Sequence, residues 1–424
     1  MGAVQNQLLA QRTLPTLGEW SVLVLPHLYV FVLALLVTLV LTPVMRHLAL
    51  KNGVVDWPDL KRKSHARPVA YLGGVAIFLG WFTGVSLGYF PCAHWLDPTG
   101  LGASASFPFW MIIGAAVITV TGLFDDVYGI SPRVKTGGQF IAAAALASET
   151  VGLHLAETSV RLLELNLPYG AVYMLGTAVI AVFVLGGCNS LNLIDGLDGL
   201  AAGVTAIAAL GFLVMAILLA AQEGANAPFQ SARIVMSLAI LGAVLGFLPY
   251  NFNPASIFMG DAGSLLLGFL CISNVLLFAE AGNQGVLLVA AALIVFALPI
   301  TDTSLAIFRR KMRGQPIFSP DNGHLHHLLR RSGLSVKQSV GVLYGLGAFF
   351  AALGCLLVAL DLPWPWVLAT AAGVYALIIV GAYRYGHHIE AVERRRLEQS
   401  TKASPGPAAA DEVAASSAPE ARTS

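Results

Sequence analysis

Four polar clusters interrupt an otherwise apolar chain, and each is of a kind that handles phosphate or metal. His324-Leu-His-His, in the longest basic loop, places three imidazoles in four positions. Imidazoles titrate near neutral pH, which suits phosphate binding or proton transfer. A zinc site is the alternative for the i, i+3 pair His324 and His327, though no Cys lies nearby. Asp125-Asp126 ends the segment Gly122-Leu-Phe-Asp-Asp. Adjacent carboxylates repel, and need a cation, a hydrogen-bond network or a raised pKa in one of them. Neighbouring helical residues point about 100° apart, so one Asp is expected to face the reacting groups and the other to support it. Arg133 and Lys135 follow at loop distance, placed either to hold phosphate oxygens or to anchor the chain at a membrane.

Asn189, Asn192, Asp195 and Asp198 recur at intervals of three in Asn189-Ser-Leu-Asn-Leu-Ile-Asp-Gly-Leu-Asp-Gly. On a helix such a row drifts by about 60° per step, so the four cannot share a narrow stripe. Gly196 and Gly199 let the chain leave the helix and approach a ligand closely. Amides and carboxylates can read a base edge or ribose hydroxyls, so a nucleotide is the expected partner; a plain helix C-terminus with turn residues is the alternative. Phe258-Met-Gly-Asp-Ala-Gly-Ser sets Asp261 between glycines at the start of an apolar run. It reads either as a helix N-cap or as a Mg²⁺ ligand, since Mg²⁺ takes one or two carboxylates and completes its shell with substrate phosphates and water. Pro299, three residues before Asp302, suggests a bent helix lining a cavity.

The elements that must carry these groups are membrane spans. Hydrophobic residues make up 57% of the chain and charged ones 11%, and mean hydropathy is +0.75, which excludes an ordinary soluble domain. A helix needs about 20 apolar residues to cross the hydrocarbon. Eleven stretches qualify, near 22–45, 70–90, 107–124, 137–154, 169–188, 199–221, 231–249, 262–280, 286–308, 338–360 and 364–383. The fourth is the weakest, because Glu149 and His154 fall near its end. The first is too long for a signal-peptide core and lacks a small-residue cleavage site, so it is expected to be retained.

With the N-terminus outside, every Lys and Arg of the 24 falls on the inner side except Arg12, Arg161 and Arg233, as the positive-inside rule requires. The same topology puts all four polar clusters on that cytoplasmic face, although they took no part in the charge count. The net charge of +1 gives no support to nucleic-acid binding. Cys92, Cys188, Cys271 and Cys355 show neither zinc-ligand spacing nor an obvious disulfide partner. The expected organisation is a short outside segment (1–21), a transmembrane catalytic domain (22–383) and a cytoplasmic, largely disordered tail (384–424) rich in Ala, Ser, Pro and Glu towards its end. The fold class is thus an all-α polytopic membrane protein of about eleven helices with its active site on the cytoplasmic face.

In family order from about residue 60 to 330, Lys63-Ser-His-Ala-Arg-Pro-Val-Ala-Tyr-Leu-Gly-Gly, Gly122-Leu-Phe-Asp-Asp with Ser131-Pro-Arg-Val-Lys, Asn189 to Gly199, Phe258-Met-Gly-Asp and the histidine run resemble the polyprenyl-phosphate N-acetylhexosamine-1-phosphate transferases. That family includes the phospho-MurNAc-pentapeptide translocase. The resemblance implies attack of a membrane polyprenyl phosphate on the sugar-linked phosphorus of a UDP-sugar, with release of UMP. It implies Mg²⁺ as cofactor, with Mn²⁺ as a substitute, and Asp261 as its ligand. Asp125, Asp126 and His324 would be catalytic. Lys61, His65, Arg133, Lys135, Asn189, Asn192, Asp195, Asp198, His326 and His327 would bind substrate. His-Leu-His-His in place of three consecutive histidines resembles the N-acetylglucosamine branch, so UDP-N-acetylglucosamine is the expected donor, with another UDP-N-acetylhexosamine as the alternative. The implied setting is a bacterial inner membrane, with a homodimer as one admissible assembly. An ion-coupled transporter is the competing class, but transporters place their acids near the midplane and often carry internal repeats; no repeat is evident here.

Overall fold

The protein is described here from a computed structural model covering residues 17–57, 68–89, 109–149, 151–223, 229–316, 323–360, 362 and 364–403. Its helices are α1 (Leu17–Val24), α2 (Leu28–Asn52), α3 (Gly73–Tyr89), α4 (Phe109–Tyr128), α5 (Pro132–Ser148), α6 (Leu153–Leu162), α7 (Tyr169–Ile194), α8 (Leu200–Glu223), α9 (Gln230–Asn251) and α10 (Gly260–Leu277). There follow α11 (Gly285–Val295), α12 (Ala297–Met312), α13 (Leu325–Arg331), α14 (Val336–Ala359) and α15 (Trp364–Ala403). The only strands among the described residues are β1 (Val55–Asp56) and β2 (Val69–Ala70), an antiparallel pair.

All eleven apolar stretches lie in helices. Eight helices are long and apolar enough to cross a membrane by length and composition, and two bent pairs raise that to ten. The stretch expected at 70–90 forms α3, whose apolar part, Gly73–Leu87, is shorter than those. The two bent pairs depart from the single spans expected. The stretch at 137–154 starts earlier, as α5, and turns by 70° into α6, with Gly152 at φ +90 on the corner. The stretch at 286–308 breaks between α11 and α12 by 77°. The break falls at Phe296, and Pro299 sits in the first turn of α12, where its missing N–H costs no helical bond. The last helix also runs on past the expected end of its span at 383, to Ala403.

One helix organises the bundle. Every residue of α10 except Asp261 is buried, and α3, α4, α7, α8, α9 and α11 all pack against it. At the periphery the pattern inverts: only 6% of the apolar window Pro365–Gly386 is buried, and Val182, Met174 and Leu377 stand 69–74% exposed. A helix apolar on all sides is either a core element or faces lipid, and this chain uses both kinds. The outer surface is the one expected of a protein whose solvent is hydrocarbon.

The β-ribbon matters for what it covers. Ala70 bridges Ile257, Phe258 N–H donates to Ala70 O (2.8 Å), and the N–H groups of Gly73 and Gly74 donate to Phe258 O and Met259 O (3.0 and 2.9 Å). The segment leading into α3 is thereby stitched to the segment leading into α10, with Asp56 and Tyr71 beside the start of the central helix.

Candidate active site

The polar clusters converge at the N-terminal end of α10. Gly260 enters that helix at φ +68, a conformation that favours glycine. The first N–H groups of a helix have no partner within it. Here they are taken by another helix: Asp126 of α4 accepts from Asp261 N–H (2.7 Å) and Ala262 N–H (3.0 Å). An anion at the positive end of a helix is favoured electrostatically as well. Gly122 permits the approach, since a Cβ there would lie 2.5 Å from the Ala262 backbone. The N-cap position itself belongs to Met259, whose side chain makes no capping bond. Asp261 is therefore not the cap of its own helix, because Asp126 supplies that function in trans.

This frees the Asp261 side chain, which accepts from Asn192 Nδ2 (2.7 Å) and pairs with Lys135. Lys135 also pairs with Asp125 (3.1 Å), and Asp125 in turn accepts from Ile130 N–H (2.9 Å). Asn192 donates to Ser264 Oγ as well (2.9 Å). The adjacent aspartates thus meet the repulsion problem in different ways. Asp126 spends both oxygens on backbone N–H groups, while Asp125 shares an ammonium with Asp261.

Beside this network a cavity of about 350 Å³ is lined by Asn192, Asp195, Asp198 and Asp261 on one wall and His327 and Arg330 on another, with Asp56, Tyr71, Asn251 and Phe258 completing it. Asp195 follows the last residue of α7. Burial pushes its carboxyl up to about 7, and the nearby Asp261, Asp126 and Asp198 act in the same direction. Asp198 is held by Asn253 Nδ2 (2.8 Å) and Ala255 N–H (3.0 Å), and Asn251 accepts from Gly199 N–H (3.1 Å). These bonds clamp the loop 195–199 to the loop after α9. Burial, and then Asp56, raise the Tyr71 phenol above its ordinary range.

In the histidine run, His324 Nδ1 lies 2.8 Å from Asp302 Oδ2. His326 is buried, and burial followed by the neighbouring His327 holds its imidazole down at about 3, so it is neutral. Only His327 of the three lines the cavity.

Several expected site residues are placed elsewhere. Asn189 turns away from the cavity: its amide donates to Gln139 Oε1 (3.0 Å) and Leu185 O (2.8 Å), tying α7 to α5. Arg133 is exposed in the first turn of α5 and does not line the cavity. Lys61 and His65 lie outside the described residues. Asp56, Tyr71, Asn251 and Arg330 were not read from the sequence. The asparagines of Tyr250-Asn-Phe-Asn-Pro, polar residues closing an apolar span just before Phe258-Met-Gly-Asp, were the available signal for one of them.

Among the described residues no three His, Cys, Asp or Glu groups converge as a ready metal cage. The donor set still fits a hard divalent cation. Asp195 is acted on by burial and three carboxylates, with no cation among its partners. Mg²⁺ needs only one or two carboxylates where substrate phosphates complete its shell.

Comparison with known proteins gives a consistent pattern. Residues 108–279 match the family described as glycosyl transferase family 4. The chain is 36% identical over 321 residues to the "probable undecaprenyl-phosphate N-acetylglucosaminyl 1-phosphate transferase" of Bacillus subtilis, covering 76% of this chain and 82% of that one. It is 34% identical over 340 residues to the decaprenyl-phosphate N-acetylglucosaminephosphotransferase of Mycobacterium tuberculosis, covering 75% and 80%. With the undecaprenyl-phosphate alpha-N-acetylglucosaminyl 1-phosphate transferase of Escherichia coli K12 it shares 28% identity over 366 residues, covering 82% and 90%.

Proposed function

Because the chain belongs to glycosyl transferase family 4, among the polyprenyl-phosphate N-acetylglucosamine-1-phosphate transferases, we propose that it transfers N-acetylglucosamine-1-phosphate from UDP-N-acetylglucosamine to a membrane polyprenyl phosphate. The observation that carries this reading is the carboxylate-lined cavity facing His327 and Arg330 at the end of an apolar bundle. A phosphate oxygen of the acceptor attacks the sugar-linked phosphorus, the bond from that phosphorus to the bridging oxygen breaks, and UMP leaves. The products are UMP and polyprenyl-diphosphate-N-acetylglucosamine, suited to begin an envelope polymer.

Phosphoryl transfer of this kind asks the protein chiefly for positioning and charge neutralisation. Asp125 and Lys135 are the pair assigned to the acceptor phosphate. Their ion pair joins two side chains and can exchange for substrate, whereas Asp126 is committed to the backbone of α10. Asn192, Asp195 and Asp198 are assigned to the nucleotide side, and His327 and Arg330 to the diphosphate. Mg²⁺, held by Asp261 with Asp195 facing the same cavity, would neutralise the diphosphate and the departing UMP. His324 and His326 then belong to the support of this wall.

The acceptor's hydrocarbon tail needs an apolar path to the same end of the bundle. A second cavity of about 450 Å³ between α7, α11, α12 and α15 is lined by Val182, Phe183, Ile272, Leu293 and Leu368 and reaches Ser190, two residues from Asn192. It is open on its lipid side and has the right lining for a prenyl chain. We place the cavity end of the bundle on the cytoplasmic side of a bacterial inner membrane, where UDP-sugars are made, and we assign residues 22–383 as the catalytic domain.

The test is UMP release by the purified protein from UDP-N-acetylglucosamine. Turnover that requires both Mg²⁺ and polyprenyl phosphate is expected, and is to be compared across UDP-N-acetylhexosamines. Release of UMP without the lipid, or none with any UDP-sugar, would sink the reading. Orientation has its own expected result: single cysteines near Arg133, Asn192 and Lys311 should be modified only by reagents that reach the cytoplasm, and cysteines near Gly102 and Ala225 by impermeant reagent from outside. Labelling of Asn192 from outside would reverse the topology.

A further inference from the structure

The short helix α13 carries the cationic wall of the cavity, and a buried acid of the bent membrane helix holds it in place. Asp302 lies in α12 beyond the 77° break and is fully buried. Its Oδ1 accepts from Leu325 N–H (2.7 Å) and its Oδ2 from His324 Nδ1 (2.8 Å). A carboxylate only accepts, so Nδ1 carries the hydrogen in this pair. Both oxygens of one carboxylate are thus spent on the N-cap residue and the first residue of α13. A buried carboxylate stripped of its donors is costly, which makes such a pair a fixed peg.

From that peg the imidazoles run in sequence towards the cavity. The His324 and His326 rings lie nearly parallel, 5.7 Å apart at 9°, and the His326 and His327 rings lie 4.1 Å apart. His326 presses against Gly196, where any Cβ would collide with its ring. This contact sets the spacing between α13 and the loop that bears Asp195 and Asp198. His327 and Arg330 are i, i+3 neighbours on one helix face, and both line the cavity opposite Asp195, Asp198 and Asp261. Asp302 itself does not line it.

We propose that Asp302 is a positioning residue that, through His324, holds α13 so that His327 and Arg330 face the carboxylate wall, and that Arg330 binds the diphosphate of the nucleotide sugar. This rests on the reading of the cavity as a nucleotide-sugar site. The carboxylate wall cannot hold a diphosphate by itself, because like charges repel. The opposing guanidinium supplies the complementary charge, and its reach depends on where α13 is pegged.

The experiment uses the full chain in lipid nanodiscs. Asp302→Asn should raise the KM for UDP-N-acetylglucosamine by about tenfold or more, with the KM for polyprenyl phosphate unchanged. Arg330→Ala, at an exposed position that does not threaten folding, should raise the same KM and leave the lipid KM alone. Added to His327→Ala/Arg330→Ala, Asp302→Asn should cause little further loss, because its effect runs through those two residues. Additive losses, or equal rises in both KM values, would make Asp302 a general structural residue and overturn the proposal. An unchanged UDP-sugar KM in Arg330→Ala overturns it even if Asp302→Asn fails to fold. Calorimetric titration with UDP separates this from failure of the functional reading. A wild type that binds UDP more tightly than Arg330→Ala but releases no UMP would support the wall and refute the reaction.

Discussion

Asp261→Asn is expected to abolish measurable turnover, by about 10³-fold or more, in a protein that still folds and inserts. Geometry separates the two outcomes. The backbone N–H groups at the start of α10 are held by Asp126, so an amide at position 261 leaves the helix end satisfied. The amide oxygen can still accept from Asn192, but the charge that pairs with Lys135 is gone. Lys135 is then left with Asp125 alone, and the site loses the carboxylate proposed to hold Mg²⁺. Turnover measured over a Mg²⁺ series, alongside the thermal unfolding midpoint, decides the matter. Near-normal activity at ordinary Mg²⁺ would remove Asp261 from the reaction, and an unfolded variant would show that its charge is needed for the fold.

The second large effect divides the neighbouring aspartates. Asp126→Ala should unfold at markedly lower temperature and be inactive, because it strips two N–H groups at a buried helix end of charge-assisted partners worth about 1.5–3 kcal/mol each. The helix concerned is the one against which six others pack, so the damage cannot stay local. Asp125→Asn should melt near wild type, since its side-chain oxygen can still accept from Ile130 N–H. It should nevertheless lose about 10²-fold or more in turnover at saturating substrates while retaining UDP-sugar binding, as expected for a group whose charge acts in the transition state. Melting curves and calorimetry on both variants provide the readout. If Asp126→Ala melts like wild type, the cap in trans carries no weight. If Asp125→Asn loses UDP-sugar binding but keeps turnover at saturation, its placement on the acceptor side is wrong.

Much of this protein is set by composition and local pattern alone. Spans need only a length of apolar residues, so all eleven stretches could be read and all are helical. The chemistry of the motifs was equally local: paired carboxylates, glycine-interrupted amides and a histidine run are conspicuous in a chain with 11% charged residues. Bends were harder to place. Pro299 marked the ninth stretch as bent, but the break falls at Phe296, because proline is tolerated in the first turn of a new helix and so ends up just after a break.

Which polar group serves catalysis and which serves the scaffold was decided only by tertiary contact. Asp125 and Asp126 are identical in type and adjacent in sequence, yet one pairs with Lys135 and the other caps α10. That difference comes from the close packing of α4 on α10 at Gly122. Asn189 and Asn192 lie one turn apart on α7, so the first turns to Gln139 in the bundle and the second to Asp261 at the cavity. Arg330 and Asp302 carry no motif that marks them. The first matters because α13 faces the acidic loop, and the second because a broken membrane helix delivers a buried carboxylate to His324. The residue types settle which chemistry is available. Since a hydrogen-bond partner must lie within about 3 Å, only the packing of helices distant in sequence settles which oxygen or nitrogen remains to perform it.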